Sequence, residues 1–364
     1  MHMSVQKSIL VLLCCLLTGS LFAQKGKVAN VVIVTLDGMR WQEVFGGVDS
    51  ALMNDPRFTY DSKEIATTFW HNDAAIRRSK LFPFLWGTVA AGGQLHGNRA
   101  FNNFVDVANP YKFSYPGYNE LFTGFPDTLV NSNDKVWNKN VNVLEWINRQ
   151  PGFANKVAVF ATWDVFPYIL NRQRSGMYVN ADRDSFPTGT KEMQLLNDLQ
   201  YLTTRPIGVR PDIFTYVAAR EYLKQKTPRV LYIALDETDD FAHRGQYDQY
   251  IKSAHAQDAM IADLWRLLQS MPQYKDNTAL LITTDHGRGE IQKTQWRDHG
   301  AKVDGAAQIW LAAIGPGIAA SGEVKAAAQL YQGQVAATIA ALLGLKYQPA
   351  HKPMPPLAPL TGTR

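Results

Sequence analysis

The stretch NVVIVTLD, residues 30–37, runs through six apolar or β-branched side chains and ends on an aspartate. A half-buried strand alternates apolar and polar residues. An uninterrupted run of this length and composition is expected of a strand covered on both faces. Four more stretches read the same way: KVAVFATW (156–163), RVLYIALD (229–236), TALLITTD (278–285) and AAQIWLAAIG (306–315). Helical periodicity lies between and after them, in PDIFTYVAAREYLKQK (211–226), YDQYIKSAHAQDAMIADLWRLLQSM (247–271) and VAATIAALLGL (335–345). Strands alternating with helices predict an α/β fold with a mainly parallel central sheet and helices on both faces. No internal repeat is present. Residues 99–140 and 164–210 lack strong periodicity and are expected to form long functional loops or a small loop-rich cap. The proline-rich end, QPAHKPMPPLAPLTGTR, is expected to lie extended on the surface.

The chain has 364 residues, of which 46% are hydrophobic and 19% charged, a globular composition. A net charge of +5 is mild, no basic block is present, and no nucleic-acid-binding module is expected. The N-terminus has Lys7, an apolar run from Ile9 to Leu17 and small residues up to Ala23, the pattern of a secretory signal peptide. Cleavage after Ala23 would leave residues 24–348 as the main domain and 349–364 as a tail. It would remove Cys14 and Cys15, the two cysteines of the chain, and with them thiolate and disulfide chemistry. No later stretch is long and apolar enough to cross a bilayer, so the expectation is a periplasmic or secreted protein without a transmembrane anchor.

Three of the apolar runs end in, or lead into, carboxylates, and ligands of open parallel sheets bind beyond the carboxyl ends of the strands. Asp37 closes the first run. Asp285 and His286 close the fourth, and Asp239 and His243 follow the third with helical spacing. His299 lies in WRDHG. Taken singly, each reads as a helix cap, a turn residue or a surface histidine. Together, three aspartates and three histidines exceed what one tetrahedral ion needs and suit two neighbouring divalent cations, zinc before manganese. Ser114, in NPYKFSYPGYNELFTG (109–124), has no histidine nearby in sequence and no G-x-S-x-G elbow.

The order Asp37, Ser114, Asp239-x-x-x-His243, Asp285-His286, His299 resembles the alkaline phosphatase superfamily, and within it the type I phosphodiesterase/nucleotide pyrophosphatase branch. LDGMR, SYPGYNELFTG, DDFAH and TTDHG are similar to that branch's motifs, and the resemblance runs from about residue 28 to 348. It implies that Asp239, His243 and His299 hold one ion, that Asp37, Asp285, His286 and Ser114 hold the other, and that Ser114 is the nucleophile. Relatives carry asparagine-histidine after the nucleophile's proline, whereas this chain has Gly117-Tyr118, with Asn119 shifted. For the asparagine that holds a phosphoryl oxygen, Asn131 and Asn133 are both candidates. Arg172 and Arg174 resemble the paired basic residues of some monoesterases, and Lys112 is a further candidate anion contact. The resemblance implies an exported hydrolase of small phosphate esters, mono- or diester, with a phosphoserine intermediate.

Three other readings compete. A sulfatase needs an arginine where Tyr118 stands, and a phosphoglycerate mutase-like transferase sits badly with an export signal. A non-catalytic binding protein would not need every ligand. Trp70, Trp86 and Trp163 are read as packing residues before stacking platforms. Oligomeric state is left open.

Overall fold

The computed structural model describes residues 28–205 and 207–362. The expected signal peptide and both cysteines lie outside them. Among the described residues, eleven strands build two sheets: β1 (Asn30–Leu36), β2 (Gly93–His96), β3 (Asn103–Asp106), β4 (Val157–Ala161), β5 (Tyr178–Ala181), β6 (Val230–Leu235), β7 (Thr278–Thr283), β8 (Gln308–Ile309), β9 (Leu311–Ile314), β10 (Gly322–Glu323) and β11 (Ala328–Tyr331). The main sheet has the order β10-β2-β9-β7-β1-β6-β4-β5, and a small sheet has the order β11-β3-β8. β1 is central, parallel to β6 on one side (Val31 opposite Val230) and to β7 on the other (Val31 opposite Ala279).

The apolar runs explain this placement. Val32, Val34 and Leu36 of β1 enter one core, and Val31 and Ile33 enter the other. β6 divides in the same way, Leu231, Ile233 and Leu235 against Val230, Tyr232 and Ala234. Each fully buried Val, Leu or Ile contributes roughly 1.5–3 kcal/mol, which an edge position could not supply. The first core is covered by the helices Asp212–Lys226 and Tyr247–Ser270, the second by Ser114–Thr123, Val143–Asn148 and Gln334–Leu342.

Three regions differ from expectation. AAQIWLAAIG divides at the buried Trp310, whose indole donates to Met39 O at 3.0 Å; β8 joins the small sheet and β9 pairs antiparallel with β7. The segment 164–210, read as loop or cap, supplies the edge strand β5 and a twelve-residue helix, Lys191–Leu202. The C-terminal stretch does not lie extended over the surface throughout: Leu357 and Leu360 are buried in the second core, with a short helix at Ala358–Thr361. Trp70, Trp86 and Trp163 pack against Arg77, Arg78 and Phe166 respectively. No helix of the described residues is long and apolar enough to cross a membrane.

Candidate metal centre and nucleophile

Because β7, β1 and β6 are adjacent and parallel, the residues that follow them emerge side by side. Asp37 follows β1, and its N–H continues the ladder to Leu235 O at 2.9 Å. Gly38 then turns the chain at φ +58°; a Cβ there would sit 2.6 Å from an Arg288 nitrogen and 2.7 Å from Asp239 Oδ1. Asp239 and His243 lie on the short helix Glu237–His243 after β6. Its first N–H groups are caught by the buried Asp212, which accepts from Asp236 N at 2.9 Å and Glu237 N at 3.2 Å. Asp285 and His286 follow β7. His299 comes from the loop after the turn Lys293–Arg297.

The six proposed ligands converge. His286 Nε2 lies 3.5 Å from Asp37 Oδ1, 3.5 Å from Asp285 Oδ2 and 3.7 Å from Asp239 Oδ1. His299 Nε2 lies 3.9 Å from Asp239 Oδ1 and 2.9 Å from His243 Nε2, and His243 Nε2 lies 3.1 Å from Asp239 Oδ2. Ser114 opens the helix Ser114–Thr123, which meets this cluster from the second-core side; Ser114 Oγ is 3.4 Å from His286 Nε2. That approach depends on Gly117, where a Cβ would stand 2.5 Å from Asp285 O.

The donor set suits divalent cations. Asp37 Oδ2 accepts the Tyr118 hydroxyl at 2.8 Å, and Asp285 Oδ1 accepts Gly38 N at 3.1 Å. Their other oxygens, Asp37 Oδ1 and Asp285 Oδ2, are buried without a hydrogen-bond partner, as is His299 Nδ1. Buried acceptors are rarely left so. His286 Nδ1 lies 3.0 Å from Gly287 O, which places its proton there and turns the Nε2 lone pair toward the two orphaned oxygens. Burial, then the neighbouring Asp285 and Asp239, pushes the Asp37 carboxyl well above the usual range, and burial raises Asp285. A cation between them would relieve both effects. Burial also tends to raise Asp239, but the charges of Arg288, His243 and His299 hold it well below the usual range. Burial, with His286 beside it, lowers His299 and keeps it a neutral imidazole.

Arg288 was not singled out from the sequence. Its guanidinium is fully buried and contacts Asp239 Oδ1 directly; it also donates to Gly38 O at 3.0 Å, Arg297 O at 2.6 Å and Asp239 O at 3.2 Å. It thereby joins the four segments that carry the proposed ligands. Its position in DHGRG, two residues past His286, was the available signal. Tyr118, noted only as a departure from relatives, proves to be the hydrogen-bond donor to Asp37.

The candidate substrate contacts separate. Asn133 Oδ1 accepts Tyr115 N at 2.9 Å, at the start of the Ser114 helix. Asn131 lines a cavity of about 330 Å³ together with Tyr115, Leu129, Val136 and Trp137. Lys112 has a left-handed backbone (φ +55°), its N–H bonds Asn109 Oδ1 at 2.8 Å, and among the described residues it forms no ion pair. Both arginines have partners elsewhere in the fold, and Arg174 is saturated by them. Arg174 spends all of its N–H groups on Glu145 (bidentate, 2.9 Å each) and on the carbonyls of Asn138, Lys139 and Asn140. Arg172 pairs with Asp184 and donates to Val179 O. Arg174 therefore keeps no free donor for a phosphoryl oxygen, because its fork is used to hold the 138–140 loop.

Comparisons with known proteins give the family and the fold. Residues 14–341 match the family profile described as Type I phosphodiesterase / nucleotide pyrophosphatase. No curated protein matches the sequence. Among solved structures, a variant of the alkaline phosphatase PafA is similar with a TM-score of 0.59 at 11% identity, covering 91% of this chain and 98% of that one. A 2-O GAG sulfatase is similar at 0.59 and 14% identity (93% and 75% covered), and a phosphonate monoester hydrolase of Agrobacterium radiobacter at 0.55 and 14% identity (92% and 77% covered). At such identities these likenesses speak for the fold, a mostly parallel α/β sheet flanked by helices. The superfamily is metal-dependent, and the Asp239–His286–His299 and Asp37–Asp285–His286 groups are each compact enough to hold an ion. By the match over most of its length and by its fold, this chain belongs to the type I phosphodiesterase/nucleotide pyrophosphatase family of the alkaline phosphatase superfamily.

Proposed function

We propose that the protein is an exported two-metal phosphoric ester hydrolase that works through a phosphoserine on Ser114. The observation that carries this is the meeting of Ser114 Oγ with His286 Nε2, 3.4 Å apart, where two orphaned carboxylate oxygens also point. When bound, two divalent cations, zinc by the histidine content, would supply positive charge beside the serine oxygen and beside the leaving oxygen. Asp37, Asp285, His286 and Ser114 would hold one ion, and Asp239, His243 and His299 the other.

Ser114 Oγ would attack phosphorus in line, forming the Ser114 O–P bond as the bond to the leaving alcohol breaks. Water would then cleave the phosphoserine and return the hydroxyl. Asn133 is the better placed asparagine for a phosphoryl oxygen: its Oδ1 is held by Tyr115 N, so its Nδ2 remains to donate. The commitment of Arg174 to Glu145 and to the 138–140 carbonyls favours a singly charged diester over a dianionic monoester. The signal-peptide pattern supports an exported mature chain whose main domain is residues 24–348.

A sulfatase reading is disfavoured at Tyr118, which bonds Asp37 where an arginine would be needed. Assays of p-nitrophenyl phosphate, its bis-ester and the sulfate, with zinc-loaded protein, test the proposal. The bis-ester should turn over fastest, and Ser114→Ala should lose about a thousandfold or more. Full activity in Ser114→Ala would overturn the mechanism, and turnover of the sulfate alone would establish the sulfatase reading.

A further inference from the structure

We propose that the two cation positions are unequal, and that Arg288 makes them so: the Asp37–Asp285–His286 position binds its ion tightly, and the Asp239–His243–His299 position binds a weaker, exchangeable one. This rests on the two-metal reading above. The charges near each position differ. Asp37 and Asp285 bring two carboxylates, each 1% exposed or less, and their nearest hydrogen-bond partners, the Tyr118 hydroxyl and the Gly38 N–H, are neutral. The second position has a single carboxylate, Asp239, already in contact with a guanidinium. The summed charge of its proposed ligands and Arg288 is therefore near zero before any ion arrives.

The guanidinium is wholly buried, and charges interact more strongly there than in water. A dication at the second position must share Asp239 with Arg288. Solvent access points the same way: the His243 side chain is 44% exposed, whereas those of His286 and Asp285 are 0% exposed. Arg288 has no opening toward substrate, since its remaining donors reach Gly38 O and Arg297 O. It acts as a positioning and charge-setting residue rather than a catalytic one.

The test is a zinc titration of chelator-stripped full-length protein, read by equilibrium dialysis with elemental analysis and by competition with a chromogenic chelator. The wild type should bind two ions in steps separated by about tenfold or more. His243→Ala should remove the weaker step and keep the tighter one. Arg288→Met should tighten the weaker step by about tenfold, and Arg288→Lys, which keeps the charge, should not. Two equal steps, a single ion, loss of the tighter step in His243→Ala, or an unchanged or weakened second step in Arg288→Met would each overturn the proposal. The wild-type and His243→Ala titrations decide it even where Arg288→Met does not fold. Two equal steps with esterase activity intact would overturn only this inference; two unequal steps without ester turnover would overturn only the proposed function.

Discussion

At the scale of single residues, the site is set by what each carboxylate oxygen does. Asp37 gives one oxygen to Tyr118 and leaves the other facing His286. The hydroxyl therefore orients the ligand, and Tyr118→Phe should weaken zinc binding by about ten- to a hundredfold with the fold retained. Competition titration and circular dichroism together check this, and unchanged affinity would show that the bond does not orient Asp37. Gly38 is a second sensitive residue. Its φ of +58° and the 2.6 Å gap to Arg288 leave no room for a methyl group. Gly38→Ala should therefore cost about 2 kcal/mol or more in denaturant unfolding, through backbone strain and displacement of the guanidinium.

At the scale of elements, the Glu237–His243 helix is too short to be stable alone. It is held by Asp212, which lies at the start of the next helix over and also accepts from Thr162 Oγ1 at 2.6 Å and Gln257 Nε2 at 2.8 Å. Asp212→Asn puts an amide donor among four donors. It should destabilise the protein by about 2–4 kcal/mol and weaken zinc binding through Asp239 and His243. Urea unfolding in chelator measures the first effect, and a stability equal to wild type would refute the capping role. The C-terminal stretch is likewise structural: truncation after Ala350 would remove Leu357 and Leu360, each 1% exposed, from the second core, and should cost about 3 kcal/mol or more by the same measurement.

At the scale of the whole molecule, buried carboxyls remote from the ligands shape the response to pH. Burial pushes both Glu43, beside Arg40, and Asp258, which accepts Phe84 N and Leu85 N, up to about 7. Between the ordinary carboxylate range and that value the folded chain holds protons that the unfolded chain does not. Stability of the metal-free protein should therefore rise as pH falls from 8 to about 6.5, by a few degrees in Tm, and fall again as pH is raised through 7. Below about pH 6.5 the buried His96, lowered to about 4, and His299, also lowered by burial, act oppositely, because the unfolded chain's imidazoles take up protons that the folded ones do not; Asp239, held low, does so only below the ordinary carboxylate range. Calorimetry in chelator between pH 8 and about pH 6.5 checks the sign; a Tm that falls on acidification within that window would contradict it.

The linear order of residues determined the central strands, the helices on either side and the roster of proposed ligands. Burial on both faces demands runs such as NVVIVTLD, and parallel strands deliver their terminal residues to one edge. β2 and β5 escaped notice because four-residue strands carry too few side chains to show a period. Tertiary structure alone decided which charged groups are spoken for. Arg174 looked like a phosphate clamp until its partners on residues 138–145 were in place, and Arg288 looked like an ordinary residue until Gly38, Asp239 and Arg297 closed around it. Hydrogen-bond saturation and charge compensation depend on distances between segments far apart in sequence, 250 residues for Gly38 and Arg288, and no local pattern encodes those distances.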